Sequence, residues 1–155
     1  CSDNTYAIGV CFVEIEFDIP LCQIKVVDII NVHDSGKIIN LQTATGQVHG
    51  GMSMGLGYGL TEYLKFDPKT GRMLNDNLLD YKLMTAIDTP ELHADFVMPY
   101  DPTGPYGNKA LGEPPTIPVA PALRNALLNA TGVAVNSNPL NPQKLFYAFK
   151  EANLI

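Results

Sequence analysis

The sequence predicts an α/β fold, with mixed or antiparallel strands and helices packed against them. The early part of the chain alternates apolar and polar residues with the period of a strand, whereas later segments repeat apolar residues with the period of a helix. Hydrophobic residues make up 46% of the 155 residues and charged residues 17%, which is enough apolar material for a core. No internal repeat or linker divides the chain, so we expect residues 1–155 to form a single domain.

The first two elements are predicted to be a pair of strands. Residues 7–18 are rich in β-branched and aromatic side chains, and three acids alternate with the apolar positions, as in a half-exposed strand. Residues 23–32 are more continuously apolar, which favours a more buried strand. Pro20 interrupts the apolar pattern between them, and the short connection predicts an antiparallel hairpin.

A helix rich in glycine is predicted next, over residues 41–64. Six glycines lie in it, and each costs about 1 kcal/mol relative to alanine in an exposed helix. Close approach of another backbone or of a ligand is the usual compensation. The spacing of Gly55, Gly57 and Gly59 does not fit a dinucleotide-binding loop, so we interpret these three as sites of tight helix packing.

The second half of the chain alternates short elements with a long loop. Turn residues at 67–71 separate two short apolar runs and predict a hairpin. Residues 91–98 are predicted to form another strand. The proline- and glycine-rich stretch 99–115 is a loop long enough to indicate a functional role. Helices are predicted over residues 118–130 and 142–152.

Composition limits the classes of function. The net charge of −6 and the pI of about 4.8 argue against nucleic-acid binding, and no run of residues is long and apolar enough for a membrane span. The three cysteines, Cys1, Cys11 and Cys22, are an odd number without tight spacing, which argues against a disulfide framework and an iron–sulfur site. Free cysteines in apolar runs indicate a reducing, cytoplasmic setting.

Glu113 is the strongest candidate for a catalytic residue. It lies between Gly112 and the pair Pro114 and Pro115, and prolines fix the backbone and favour an extended residue before them. Gly112 allows a large group to approach the backbone closely. A carboxylate held in this way can serve as a general acid or base, and the alternative is an ordinary exposed loop carboxylate.

Gln47 is a candidate for ligand binding. Gly46 precedes it in the glycine-rich helix, and its amide offers both a donor and an acceptor, which suits the edge of a heterocycle. The alternatives are a residue on the helix surface or a hydrogen-bonded core amide.

The histidines give no sign of a metal site held by protein side chains. His33, His49 and His93 lack the spacing of a zinc motif, and we expect each to be structural.

Four segments in order resemble the molybdenum-binding subunit of the xanthine dehydrogenase family, with the closest likeness to bacterial members. They are the strand and turn at residues 31–40, the motif Gly46-Gln47-Val48-His49-Gly50, the Gly55-Leu56-Gly57 that follows, and the stretch Lys109-Ala110-Leu111-Gly112-Glu113-Pro114-Pro115. Their order and spacing match across nearly the whole chain. Leu41 departs from the family, which commonly has a proline there.

The resemblance implies a fold and a site. The chain would be the C-terminal molybdenum-cofactor-binding part of a larger subunit. Gln47, Gly46 and Gly112 would bind a molybdenum–molybdopterin cofactor, and its dinucleotide form, such as the cytosine dinucleotide, stays open. Glu113 would be the base that activates a molybdenum-bound hydroxyl. The metal would be held by the pterin dithiolene and not by side chains.

The resemblance also implies partners and a substrate class. Iron–sulfur [2Fe–2S] centres and FAD would lie on other domains or subunits, and the substrate would be a small purine such as xanthine or hypoxanthine. Two alternatives stay open: the same chemistry on an aldehyde or another N-heterocycle, and a fragment that serves assembly without catalysis. The isolated chain would lack part of the active site and be inactive.

Overall fold

A computed structural model of the chain describes residues 5–155, so Cys1 lies outside the described residues. The elements are two strands, a long helix, a third strand, a single 3₁₀ turn and two further helices. In chain order these are β1 (Ile8–Asp18), β2 (Gln23–Asp34), α1 (Leu41–Leu60), β3 (Glu91–Val97), the 3₁₀ turn (Pro105–Gly107), α2 (Val119–Thr131) and α3 (Pro142–Glu151).

Within residues 5–155 the strands form a three-stranded sheet in the order β1-β2-β3. β1 pairs antiparallel with β2, with Val10 opposite Val32, and β3 pairs parallel with β2, with Leu92 opposite Ile29. The sheet is therefore mixed, and the predicted α/β class and the predicted hairpin are confirmed.

The helices lie against one face of the sheet. α1 contacts β3 and α2, and α2 contacts β1. Alternate residues of β1 point toward the helices, whereas Phe12 on the opposite face stays 63% exposed. Phe17 and Phe149 of α3 meet edge to face with ring centroids 5.3 Å apart. The fully buried apolar side chains come mainly from the helices: Val48, Met52, Leu56, Val119, Leu123, Leu127, Leu145 and Phe149.

The glycines of α1 explain how α2 and the segment just before it come so close. A Cβ at Gly51 would lie 2.6 Å from the Cβ of Pro115, and one at Gly55 would lie 2.6 Å from the Cβ of Val119. A Cβ at Gly59 would meet a leucine of α2 at 2.7 Å. Real Cβ atoms are not found so close, so the two helices can approach only because side chains are missing here. The packing role predicted for Gly55 and Gly59 is confirmed.

Gly57 has a different role, and α1 ends earlier than predicted. The main-chain amides of Thr61 and Glu62 both donate to the carbonyl of Gly57, at 2.9 and 2.8 Å. This shared acceptor ends the helix at Leu60 and not at residue 64 as predicted. The Glu62 side chain folds over Gly57, in the space that a Cβ would need, so the helix-packing interpretation of Gly57 is wrong.

The remaining elements agree with the sequence. The strand predicted at 91–98 and the helices predicted at 118–130 and 142–152 are confirmed to within one residue at each end. The hairpin predicted around 67–71 is present only as a single antiparallel bridge between Phe66 and Met73. No helix among residues 5–155 is both long enough and apolar enough to cross a membrane.

Candidate active site

Glu113 lies on the surface, in the loop that connects β3 to α2. Its side chain is exposed, and its carbonyl accepts a hydrogen bond from the Thr116 amide at 3.0 Å, which closes a turn. Pro115, inside this turn, is fully buried against Gly51. The segment is non-helical at Glu113, as the two prolines that follow it predict, and the second of them, Pro115, anchors the turn in the core.

One hydrogen bond ties this turn to the sheet. The side-chain Nδ2 of Asn31 donates to the carbonyl oxygen of Pro115 at 2.9 Å. Asn31 is fully buried on the helix-covered face of β2. The bond connects residues 84 positions apart and fixes the turn from its inner side.

An ion pair holds the loop a few residues earlier. Lys109 Nζ lies 2.7 Å from Asp34 Oδ2, and the two side chains are only 13% and 20% exposed. The hydrogen bond from Lys109 holds the pKa of the Asp34 carboxyl below its usual value. The main-chain amide of Lys109 also donates to the carbonyl of Ser35 at 2.8 Å. The main-chain amide of Lys37 donates to the carbonyl of Gly107, also at 2.8 Å. The start of the Glu113 loop therefore runs along the end of β2.

Gln47 faces the same loop from α1. Asn40 caps the helix by accepting a hydrogen bond from the Thr43 amide at 3.1 Å, and Gln47 follows on the exposed face of its second turn. Gln47 Nε2 donates to the carbonyl of Gly112 at 3.4 Å. The amide keeps its oxygen and a second N–H for a ligand.

The surface beside Gln47 is open. A Cβ at Gly46 or Gly112 would meet no atom within 4 Å. A cleft of about 230 Å³, lined in part by Gln47, lies between residues 35–40, the start of α1 and residues 108–111. The structure thus brings Gln47 into contact with Gly112, the residue before Glu113, whereas Gly46, Gly112 and Glu113 do not line the cleft itself.

No histidine or cysteine in the described part of the chain lines this cleft. Among residues 5–155, no group of three or more His, Cys, Asp or Glu side chains could hold a metal ion. His33 is fully buried, and burial lowers its pKa and favours the neutral ring. Burial raises the pKa of Cys11 to about 11, which disfavours the thiolate that a nucleophile or ligand requires.

Sequence reasoning missed three residues that hold the site: Asn31, Asp34 and Lys109. They lie within the motifs used for the resemblance, yet no role was assigned to them. A signal was present for Asn31, because it shares the buried face of β2 with Ile29, where an apolar side chain is expected. The pairing of Asp34 with Lys109 joins residues 75 positions apart and has no local signature.

Comparison with known proteins identifies the family. The family model described as "Molybdopterin cofactor-binding domain" matches residues 1–90 of the chain. The chain belongs to this family. Gln47 and Gly46 lie within the matched residues of this molybdopterin cofactor-binding domain, whereas Glu113 lies beyond them.

Individual proteins are similar to this chain over most of its length. The xanthine dehydrogenase molybdenum-binding subunit of Escherichia coli O157:H7 is 51% identical over 152 residues, 98% of this chain and 20% of that protein. The aldehyde oxidoreductase molybdenum-binding subunit of Escherichia coli (strain K12) is 33% identical over 135 residues, 86% of this chain and 18% of that protein. The chain thus spans about a fifth of the length of these relatives.

A solved structure shares the fold. The crystal structure of the Cu,Mo-CO dehydrogenase in its carbon monoxide reduced state superimposes with a TM-score of 0.88 at 26% identity, covering 97% of this chain and 19% of that one.

The residues of this surface fit molybdopterin, the cofactor for which the family is named. A pterin presents a flat, hydrogen-bonding edge, which needs a free amide and unobstructed backbone beside it. Gln47 would supply such an amide, and the open space at Gly46 and Gly112 would let a planar group approach the main chain.

Proposed function

We propose that this chain is the C-terminal part of the molybdenum-binding subunit of a molybdenum hydroxylase that acts on a purine such as xanthine or hypoxanthine. One observation carries the proposal: Gln47 on α1 and the loop of Glu113 meet at one open surface, through the hydrogen bond from Gln47 to Gly112. The 51% identity to a xanthine dehydrogenase subunit supports the substrate class.

Each residue has a stated role in this proposal. Gln47 would hydrogen-bond the pterin of the molybdenum cofactor, and Gly46 and Gly112 would leave room for it. When bound, the cofactor supplies the two-electron redox chemistry that hydroxylation of a carbon requires. The Glu113 carboxylate accepts a proton at one oxygen from the hydroxyl group that attacks the substrate, and so acts as a general base.

The exposed position of Glu113 implies a role for the rest of the protein. Its side chain faces solvent within residues 5–155, and general base catalysis benefits from a site that excludes water. We propose that the remainder of the molybdenum subunit, together with the bound substrate, covers it. Iron–sulfur and FAD subunits would then carry the electrons away, and the assembled enzyme would work in the cytoplasm.

Substitution of Glu113 tests its proposed role as the general base. In the complete enzyme, Glu113→Gln keeps the shape of the side chain and removes the base, so we expect unchanged molybdenum content and a loss of turnover of about 10²- to 10⁴-fold. Glu91→Gln, at the exposed start of β3, is the matched control and should keep full turnover. Full turnover in a cofactor-loaded Glu113→Gln enzyme would contradict the assignment and favour a structural role for this chain.

A second candidate keeps the chemistry and changes the substrate to an aldehyde or another N-heterocycle. The 33% identity to an aldehyde oxidoreductase subunit favours it. Measuring kcat/KM of the complete enzyme for xanthine, hypoxanthine and aromatic aldehydes separates the two. A higher kcat/KM for the purines supports the first candidate, and a higher value for the aldehydes supports the second.

A further inference from the structure

The end of strand β2 places an amide where the fold would favour an apolar residue. Asn31 has no exposed surface, and it follows Ile29 on the face of β2 that the helices cover. A buried amide is tolerated when it makes hydrogen bonds that its surroundings require. The bond that Asn31 makes goes to the carbonyl of Pro115, two residues after Glu113.

The loop offers the acceptor of this bond and has few main-chain donors of its own with which to bond to the sheet. Pro114 and Pro115 carry no N–H, so the turn has few donors to hold it against the sheet. Its one internal bond, from the Thr116 amide to the Glu113 carbonyl, closes the turn without attaching it to β2. The side chain of Asn31 makes that attachment, at 2.9 Å.

The other end of the loop is attached independently. The ion pair between Asp34 and Lys109 and the bond from the Lys109 amide to Ser35 fix the chain four residues before Glu113. Glu113 therefore lies between two attachments to the same end of β2. A shift at either one would move its carboxylate relative to the surface at Gln47.

We infer that Asn31 is a positioning residue that sets the direction of the Glu113 carboxylate. This inference rests on the proposed function, in which Glu113 is the base. Asn31 touches no reacting atom and acts through Pro115. Displacement of a catalytic group by about 1 Å can cost roughly 100-fold in rate, so loss of the Asn31 bond should reduce kcat while leaving substrate and cofactor binding intact.

Two substitutions of Asn31 test this in the complete enzyme. Asn31→Leu keeps the approximate volume and removes the donor, and Asn31→Ser keeps a polar group whose hydroxyl ends too close to the backbone to reach Pro115. We expect both to lower kcat about 10- to 100-fold with unchanged KM and molybdenum content. Ile29→Val, on the same face of β2, is the control and should leave kcat unchanged.

A double substitution separates this inference from the proposed function. If Asn31 acts through Glu113, the Asn31→Leu/Glu113→Gln enzyme should be no slower than Glu113→Gln alone, because coupled residues are not additive. Additive losses, or unchanged kcat in both Asn31 variants, would overturn the inference while leaving Glu113 as the base. If neither Asn31 variant assembled, Asn31 would be a residue required for folding, and this result would also overturn the inference. Full turnover in Glu113→Gln would instead contradict the proposed function itself.

Discussion

The side-chain amide of Gln47 donates to the main-chain carbonyl of Gly112 at 3.4 Å, and this bond joins two segments that lie 65 residues apart in the chain. The helix that carries Gln47 lies within the residues that the family model matches, whereas the loop that carries Gly112 lies beyond them. Because Glu113 follows Gly112 directly, the bond sets how far the proposed base lies from the proposed cofactor contact.

Gln47→Ala should weaken retention of the cofactor. It removes a hydrogen bond worth about 1–1.5 kcal/mol, which corresponds to roughly tenfold weaker binding. Molybdenum and pterin per polypeptide, measured after extensive dialysis of the complete enzyme, should both fall. Gln42→Ala is the matched control, because Gln42 is an exposed glutamine of the same helix. Equal cofactor content in the Gln47 and Gln42 variants would contradict the assigned role of Gln47.

Gly55→Ala should loosen the contact between α1 and α2. The new Cβ would lie 2.6 Å from that of Val119, and overpacking of this kind costs about 1–3 kcal/mol. Hydrogen exchange of the α1 and α2 amides in the complete protein should become faster. Gly50→Ala, on the same helix with no atom within 4 Å of the new Cβ, should slow exchange, since alanine favours helix by about 1 kcal/mol. Equal behaviour of the two variants would show that the close packing does not depend on Gly55.

Lys109→Met should destabilise the protein by an amount that depends on pH. Lys109 lowers the pKa of Asp34, so the pair stabilises the folded state above the ordinary aspartate pKa of about 3.9, and this stabilisation is lost as the pH falls through the lower folded-state pKa. We expect a loss of about 1–2 kcal/mol near neutral pH, measured by urea unfolding, that shrinks in acid.

Lys25→Met is the control for that experiment. The pair of Lys25 with Glu16 has a similar N–O distance, 2.8 Å, yet its side chains are 73% and 65% exposed. An exposed pair contributes about 0–1 kcal/mol, so this variant should change stability little. Equal losses in the two variants, or a Lys109 loss that does not change with pH, would refute the explanation.

Local patterns predicted the elements well, and the site less completely. The alternation in β1 and the helical period of α2 and α3 gave bounds close to those observed, because apolar spacing along the chain decides which face is buried. The two prolines after Glu113 likewise predicted its non-helical backbone, whereas its exposed side chain was only the alternative to a catalytic position. Gly57 was misinterpreted, since its neighbour in space is Glu62, and a glycine pattern does not show which group fills the space beside it.

The attachments of the Glu113 loop could not be predicted from the sequence. Asn31 reaches Pro115 across 84 residues, and Asp34 reaches Lys109 across 75. Such contacts depend on how β2 and the loop are placed by the whole fold, and no spacing between neighbours in the sequence encodes them. Asn31, a polar residue on the buried face of β2, was a local sign of such a contact.

The central claim is that Glu113 is the base, and the rate of a single anaerobic turnover tests it most directly. The complete enzyme and its Glu113→Gln variant, matched for molybdenum content, are mixed with excess xanthine, and reduction of the enzyme is followed optically. This isolates hydroxylation from later electron transfer. The account predicts that reduction of the variant is slower by about 10²- to 10⁴-fold. Reduction of both enzymes at the same rate would contradict it.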